Sequence, residues 1–275
     1  MQQTILITGA NGFLAQAVAT RLPSDWQSIA LIKPGTSCQV ERHSRTFGAW
    51  ADLARSIQRI DVAFHLAACI PHDYNLPNTQ LLSVNVDLVS RLIAEYPEAR
   101  HVYASSVAVY GHPQGLPLTL DSPGHQVSRY GLSKLAGECI TRQARSHAVI
   151  RFTSVIGVGM RPGSFIPSAI EGARKGCIHL RGDGSRRQNY VDVQDAARMC
   201  INAATMPDSL IGHGIGECSH TNLEVASMLA AMTGASVVTE GVDNSPSYDY
   251  AADEFNWKIR DRQPLQDTLA RMLAA

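Results

Sequence analysis

The sequence predicts an α/β fold, a doubly wound parallel sheet with a smaller C-terminal lobe. Two observations carry this. Near-continuously apolar runs of strand length alternate with amphipathic segments of helix length through the first half of the chain, and a parallel sheet covered on both faces buries such strands. The first of these runs passes directly into a glycine-rich turn and a helix, the opening unit of a doubly wound sheet. A chain of 275 residues, 45% of them hydrophobic, suits one large α/β domain carrying a smaller lobe.

In order along the chain, residues 4–8 (TILIT) read as a buried strand and 13–22 as a helix stopped by Pro23. Residues 28–32 (SIALI) form a second strand, ended by Pro34 and Gly35, and 52–58 a helix. Residues 61–66 (DVAFHL) are a strand, 79–96 a helix ending before Pro97, and 101–104 a strand. A long helix over 128–146 and a strand over 148–153 close this half. From Ser154 the texture changes: glycine, proline and arginine crowd 157–184, which reads as loops around a site. Amphipathic helices follow at 222–233 and 265–273, with Met228 and Met232 as core packing. The division expected is 1–153 for a nucleotide-binding domain and 154–275 for a substrate lobe, with segments within about 188–218 returning to the main sheet.

Formal net charge is zero, which argues against nucleic acid or an anionic membrane as the main partner. The six cysteines lack any CxxC or zinc-like spacing and read as free, mostly buried thiols of a reducing compartment. No basic–apolar leader opens the sequence, and no run approaches the roughly 20 apolar residues of a membrane span, so the expected location is the cytoplasm. His65 and His72 flank a strand end without an acidic cluster, so no metal is expected. His101, His112 and His125 are assigned to loops or strand edges, and Asp192 and Asp195 to capping or hydrogen bonding at the next helix.

The turn after the first strand is Gly9-Ala10-Asn11-Gly12-Phe13-Leu14-Ala15. Gly9 permits a tight turn, Gly12 lets backbone amides at the helix N-terminus approach a pyrophosphate, and Ala15 is small enough for close packing. The second strand ends at Lys33 where an acidic residue would grip a ribose 2′-hydroxyl, and Arg42 and Arg45 follow. Cations there favour a 2′-phosphate, hence NADP over NAD.

Tyr130 and Lys134 are four apart at the start of the long helix, which places both on one face. A phenol titrates near pH 10, and a neighbouring ammonium stabilises the phenolate. The tyrosine can then exchange a proton with a carbonyl or alcohol oxygen while hydride moves at carbon. Upstream, a strand runs into Ser105 and Ser106 at its C-terminal end, where open α/β sheets place their ligands. Ser106 is the expected donor to the reacting oxygen.

With these pieces in place, the sequence resembles the extended short-chain dehydrogenase/reductase family, in its NAD-dependent epimerase/dehydratase branch. The resemblance rests on TGANGFLA (8–15), HLAA (65–68), VNV (84–86), SSVAVYG (105–111), YGLSK (130–134) and RRQNYVDVQDAA (186–197). It implies a Rossmann-like domain with a C-terminal substrate lobe, commonly a homodimer through two long helices. It also implies roles: Asn85 in the active-site network, Ser106 and Tyr130 at the reacting oxygen, and Lys134 on the nicotinamide ribose. Gly9, Asn11, Gly12, Phe13, Leu14, Lys33, Leu66, Ala67, Ala68, Asn85, Ser105, Tyr130 and Lys134 would line the cofactor, and Ser106, Val107, Arg186 and Arg187 the substrate.

The departures are informative. The third glycine of the family is Ala15, the acidic residue near Arg45-Thr46-Phe47 is missing, an expected asparagine is Ser154, and an expected arginine is Gln188. Members that eliminate water from hexoses carry an Asp–Glu pair after the hydroxyl residue. Here Val107 and Ala108 stand there, which argues against a 4,6-dehydratase. The leading expectation is a 4-epimerase or 4-keto reductase of a nucleotide-sugar, with Arg161, Arg181, Arg186 and Arg187 available for a diphosphate. The alternatives are an NADPH-dependent reductase of a smaller carbonyl compound, resembling the dihydroflavonol-reductase-like and steroid-dehydrogenase-like relatives, and a non-catalytic cofactor sensor.

Overall fold

A computed structural model describes residues 2–71, 78–251 and 257–275; His72 lies outside them. In chain order it runs β1 (Gln3–Thr8), α1 (Phe13–Arg21), β2 (Trp26–Leu31), β3 (Arg45–Phe47), α2 (Trp50–Ser56) and β4 (Val62–His65). A short helix α3 (Gln80–Leu82) passes through a π-helical turn (Ser83–Asp87) into α4 (Leu88–Glu95). Then come β5 (Arg100–Ser106), a 3-10 turn (Val107–Tyr110), α5 (Arg129–Thr141) and β6 (Ser146–Phe152). The remainder is β7 (Ser154–Ile156), α6 (Phe165–Arg174), β8 (Cys177–Arg181), β9 (Arg187–Asp192), α7 (Val193–Thr205), β10 (Leu210–Gly214), β11 (Ser219–Thr221), α8 (Asn222–Thr233), β12 (Ser236–Glu240) and α9 (Leu265–Ala274).

The main sheet has the order β10-β6-β5-β4-β1-β2-β3, with every pairing parallel. Side chains alternate across it as the pleat requires. Ile5 and Ile7 join a core under α1 and α7, while Leu6 faces the other way onto Leu53, Leu92 and Tyr96. Burial on both faces is why these strands read as continuous apolar runs. Chain order reverses beside β1, so the carboxyl ends of β1 and β4 mark the switch point, the place where such sheets hold ligands. After β9, α7 packs against α1 and β10 extends the main sheet beside β6.

The lobe has its own core of Ile156, Ile166, Ile170, Ile178, Leu180, Val225 and Leu229. Its β-structure is a β11-β9-β7 sheet and a β12-β8 pair. The stretch expected as loops thus contains α6 and β8. The apolar positions Ile166, Ala169, Ile170 and Ala173 form one buried helical face. Pro167 is tolerated because it sits in the first turn, whose N–H groups have no intrahelical acceptor.

Other expectations are corrected. α5 ends at Thr141 rather than near 146, because Ser146 begins β6 in register with Arg100 of β5. His101 is neither at a loop nor at an edge: it is fully buried in β5, between β4 and β6. Of the cysteines only Cys200 is buried, and Cys139 and Cys218 are exposed; all are free.

Asp192 does cap the following helix. Its Oδ1 accepts from Gln194 N at 2.7 Å, and its Oδ2 from Thr268 Oγ1 and Arg271 Nη2 at 2.8 Å each, fastening α9 to the end of β9. Replacement of Asp192 by Ala is expected to lower unfolding free energy by about 2 kcal/mol, from the cap and the buried hydroxyl bond. The half-exposed Arg271 adds little to this. Urea unfolding followed by circular dichroism checks the value.

Candidate active site

The glycine turn is set by contacts between β1, β2 and β4. Thr8 Oγ1 accepts from Leu66 N and Ala67 N at 3.0 Å each, joining the end of β4 to that of β1. Gly9 has φ +63°, and a Cβ there would stand 2.7 Å from Ala67 Cα, so no other residue fits without moving the segment that follows β4. Gly12 N donates to Gly9 O at 2.7 Å, and Gly12 then caps α1 with no side-chain hydrogen bond. The amides of the first turn of α1 therefore meet no capping side chain on this edge, and Ala15 beneath is buried. Uncapped amides at a helix N-terminus next to a Cβ-free turn fit a pyrophosphate. Phe13 and Leu14 are half-buried on the same turn, as are Leu66 and Ala67 opposite, while Ala68 is exposed.

Asn11 ties the next loop to this turn: its Nδ2 donates to Ser37 O at 2.8 Å and its Oδ1 accepts from Gln39 N at 3.0 Å. Lys33 is exposed at the end of β2. The two arginines grouped with it from sequence point elsewhere. Arg42 donates to Leu22 O at 2.8 Å and Pro23 O at 2.5 Å, behind α1. Arg45 lies 5.0 Å over the Phe47 ring and reaches Ser56 O at 3.4 Å.

The tyrosine–lysine pair sits on α5, started by Ser128, whose Oγ accepts from Gly131 N at 3.2 Å. Tyr130 and Lys134 are buried, at 8% and 2% exposure. Lys134 Nζ donates to Ala104 O at 2.8 Å and lies 4.9 Å over the Tyr103 ring and 6.0 Å from that of Tyr130. Burial pushes the Lys134 ammonium down to about 8, and the Glu138 carboxylate opposes the fall. Ser106 ends β5 half-buried, its Oγ accepting from Ala108 N at 3.1 Å; Val107 follows, half-buried, in the 3-10 turn.

Asn85 is fully buried in the π-helical turn. Its Oδ1 accepts from Cys69 N at 2.8 Å, and its Nδ2 donates to Cys69 O at 3.1 Å and Ser133 Oγ at 2.9 Å. Ser133 Oγ in turn donates to Tyr130 O at 2.7 Å. Asn85 is thus a brace between the segment after β4 and the turn of α5 that carries Tyr130. Cys69 and Ser133 were invisible as site residues because they act through an amide that sequence spacing cannot orient.

Sequence reasoning also passed over a buried ionic group behind Ser105. Ser105 Oγ donates to Glu138 Oε1 at 2.5 Å, and Arg151 Nη2 bonds Glu138 Oε2 at 2.9 Å. The one available signal was that Glu138 continues the i+4 spacing of Tyr130 and Lys134.

Beside it, His65 Nε2 and His101 Nδ1 are 2.9 Å apart, and His101 Nε2 meets Tyr96 O at 3.0 Å. The carbonyl requires a donor, so His101 carries its proton on Nε2 and accepts from His65. Burial lowers the pKa of both, His101 to about 4, and that of His213 also to about 4. The folded state therefore holds these rings neutral, while the unfolded chain takes up protons near 6.5. Stability is expected to be intact above pH 6.5 and to fall as pH drops from there towards 4. Urea midpoints across that window check this, and an unchanged midpoint would contradict it.

In the lobe, Arg186 Nε donates to Pro246 O at 3.0 Å and Arg187 Nη2 to Ser219 O at 2.9 Å, with Arg187 Nε 3.8 Å from Asp249. Both guanidinium groups hold the 246–249 segment against β9 and β11. Arg161 and Arg181 are exposed. Among the described residues no cluster of three or more His, Cys, Asp or Glu side chains suits a metal, and no helix is long and apolar enough to cross a membrane.

A switch-point glycine turn joined to a tyrosine–lysine helix is the arrangement of the extended short-chain dehydrogenase/reductases. Residues 5–215 match the NAD dependent epimerase/dehydratase family, and the chain belongs to that family. Over 203 residues it is 28% identical to an uncharacterized UDP-glucose epimerase, YtcB, of Bacillus subtilis, covering 67% of this chain and 62% of that protein. It is 26% identical over 222 residues to an uncharacterized protein, y4nG, of Sinorhizobium fredii, and the match spans 74% of this chain but 54% of that protein. Among solved structures, MoeE5 in complex with UDP-glucose and NAD superposes with a TM-score of 0.80 at 25% identity, over 98% of this chain and 97% of that one.

Proposed function

We propose that the chain acts on a nucleotide-sugar by hydride transfer at a sugar carbon, as a 4-epimerase or 4-keto reductase. The carrying observation is the Tyr130–Lys134 face of α5, set against the carboxyl end of β5 where Ser106 emerges. The amides after Gly12 would hold the pyrophosphate of a nicotinamide dinucleotide, with Asn11, Phe13, Leu14, Leu66, Ala67, Ala68 and Ser105 along it and Lys134 at its ribose. That cofactor supplies the hydride acceptor and donor. Tyr130 Oη exchanges a proton with the sugar oxygen, and Ser106 Oγ hydrogen-bonds the same oxygen. The buried Lys134 ammonium favours the phenolate.

The cofactor we assign is NAD. NADP, expected from Lys33, Arg42 and Arg45, finds no support in MoeE5, which holds NAD, and both arginines here are engaged by the protein. Val107 and Ala108 carry no acid or base for eliminating water, so we assign no 4,6-dehydratase activity. Exposed Leu82, Leu132 and Leu135 on α3 and α5 support a homodimer through these helices, and the free thiols support a reducing, cytoplasmic setting.

The test offers purified protein UDP-, dTDP-, GDP- and CDP-sugars and simple carbonyl compounds, while NADH and NADPH fluorescence is followed. Sugar interconversion without net cofactor change identifies an epimerase, and net NADH oxidation with a 4-keto sugar nucleotide a reductase. Turnover confined to small carbonyl compounds with NADPH would overturn the proposal.

A further inference from the structure

Lys134 carries a cation that is 2% exposed, and β5 meets it with two successive residues. The Ala104 carbonyl accepts from Nζ at 2.8 Å, and the Tyr103 ring lies under the ammonium, with Nζ 4.9 Å from its centroid. Tyr103 is itself fully buried, in a small cluster with Val89, Val149, Ile93 and Ile140. An ammonium within about 6 Å of a ring centroid is attracted by the negative potential of the ring face, more strongly where water is excluded.

The fold makes room for this ring with a glycine. Gly137 follows Lys134 by three residues on α5, and a Cβ there would stand 2.2 Å from Tyr103 Oη, 2.5 Å from its Cζ and 2.9 Å from Asn85 O. Glycine inside a helix weakens it. Here the missing side chain lets α5 close onto the ring that underlies Lys134. Tyr103 Oη donates to the same Asn85 carbonyl at 3.4 Å. Tyr103 therefore touches both the turn that holds Asn85 and the helix that carries Tyr130 and Lys134.

The other charged or titratable groups near Lys134 are more distant or already engaged. Tyr130 of α5 has its ring centroid 6.0 Å from Nζ. Glu138 of α5 has its carboxylate taken by Arg151 of β6 at 2.9 Å and by the Ser105 hydroxyl at 2.5 Å. His65 of β4 is bonded to His101, and burial keeps it neutral.

We propose that Tyr103 is a positioning residue: its ring face is the seat of the Lys134 ammonium, holding it charged beside Tyr130, and Gly137 is the opening in α5 that lets the seat form. The consequence for turnover rests on the function proposed above, but the seat itself does not. Burial alone draws the Lys134 proton off more readily, and the ring face opposes that loss.

The test alters the electrostatics of the ring and leaves its shape. Phenylalanine, or phenylalanine carrying one, two or three ring fluorines, is placed at position 103 of the full chain, with lysine labelled at Cε. Each fluorine withdraws negative potential from the ring face. The lysines are Lys33, Lys134, Lys175 and Lys258, and the signal lost in Lys134→Arg is the one of interest. Read before any cofactor or sugar is added, the wild-type signal is expected to titrate near 8. Tyr103→Phe is expected to titrate close to wild type. The fluorinated rings are expected to lower the value stepwise, by about one unit with three fluorines, a tenfold rise in the acid constant. All of these rings lack the hydroxyl bond to Asn85, so a merely structural role for Tyr103 would not produce the trend. Should the ring with three fluorines prevent folding, the one with a single fluorine, almost the size of phenylalanine, is expected to show about a third of the shift. In turnover, the alkaline limb of kcat is expected to move to lower pH along the same series while KM for the sugar stays constant. A Lys134 titration that stays at the Tyr103→Phe value across the folded series, or rises, overturns the proposal even if activity falls. Lack of turnover by wild type on every nucleotide-sugar would overturn the functional assignment instead, since the titration is read without substrate.

Discussion

Tyr130→Phe is expected to lower turnover by about 10²–10⁴-fold, the range of a lost general acid–base group. The substitution removes one oxygen from a residue that is 8% exposed and leaves the ring in its packing. Ser133 still bonds the backbone carbonyl of residue 130, and Asn85 still braces Ser133, so α5 keeps its position. Lys134 retains its bond to Ala104 O. The loss should therefore fall on kcat, with NAD affinity by fluorescence titration close to wild type and stability lowered by no more than about 1.5 kcal/mol for one hydroxyl. A variant that binds NAD normally but does not turn over separates proton transfer from cofactor binding. Unchanged turnover would remove Tyr130 from the chemistry, whereas unchanged biological activity of a variant without turnover would favour a cofactor-binding sensor.

What the sequence disclosed about this site follows from which contacts are local. Gly9 to Ala15 and Tyr130 to Lys134 each act within one turn and one helix, so spacing alone carries their geometry. The strands of the main sheet were legible because both faces are covered, leaving apolar runs such as residues 4–8. β3 was not, since a three-residue edge strand reading Arg45-Thr46-Phe47 has no periodicity to detect. α6 was hidden by the glycines and prolines around it, although its apolar positions recur at helical spacing. Glu138 looked like an ordinary charge on a helix because Arg151 lies on another strand, and Arg42 and Arg45 looked available because composition says nothing about direction. Their guanidinium groups are taken by carbonyls and a ring that only the folded chain brings near.

Gly131→Ala is expected to damage activity much more than stability. Gly131 follows Tyr130 at the point where α5 crosses the 3-10 turn after Ser106. A Cβ at 131 would lie 2.2 Å from Ala108 O and 2.6 Å from Val127 Cγ1, far inside contact distance. The nearer obstacle is backbone, so it cannot rotate away, and α5 must back off from the turn that follows Ser106. Overpacking costs about 1–3 kcal/mol, while alanine regains up to about 1 kcal/mol of helix propensity, so net destabilisation is modest. The displacement, however, opens the gap between Tyr130 and Ser106, and misplacement on the order of 1 Å lowers rates by about 10²-fold. Gly115→Ala is the control, since a Cβ there meets nothing within 4 Å, and it should leave both activity and stability near wild type. Melting curves and kcat measured together decide the matter. A fall in kcat of two orders with a small change in Tm places the constraint in the spacing between α5 and β5, whereas parallel losses in both would mean that Gly131 serves folding alone.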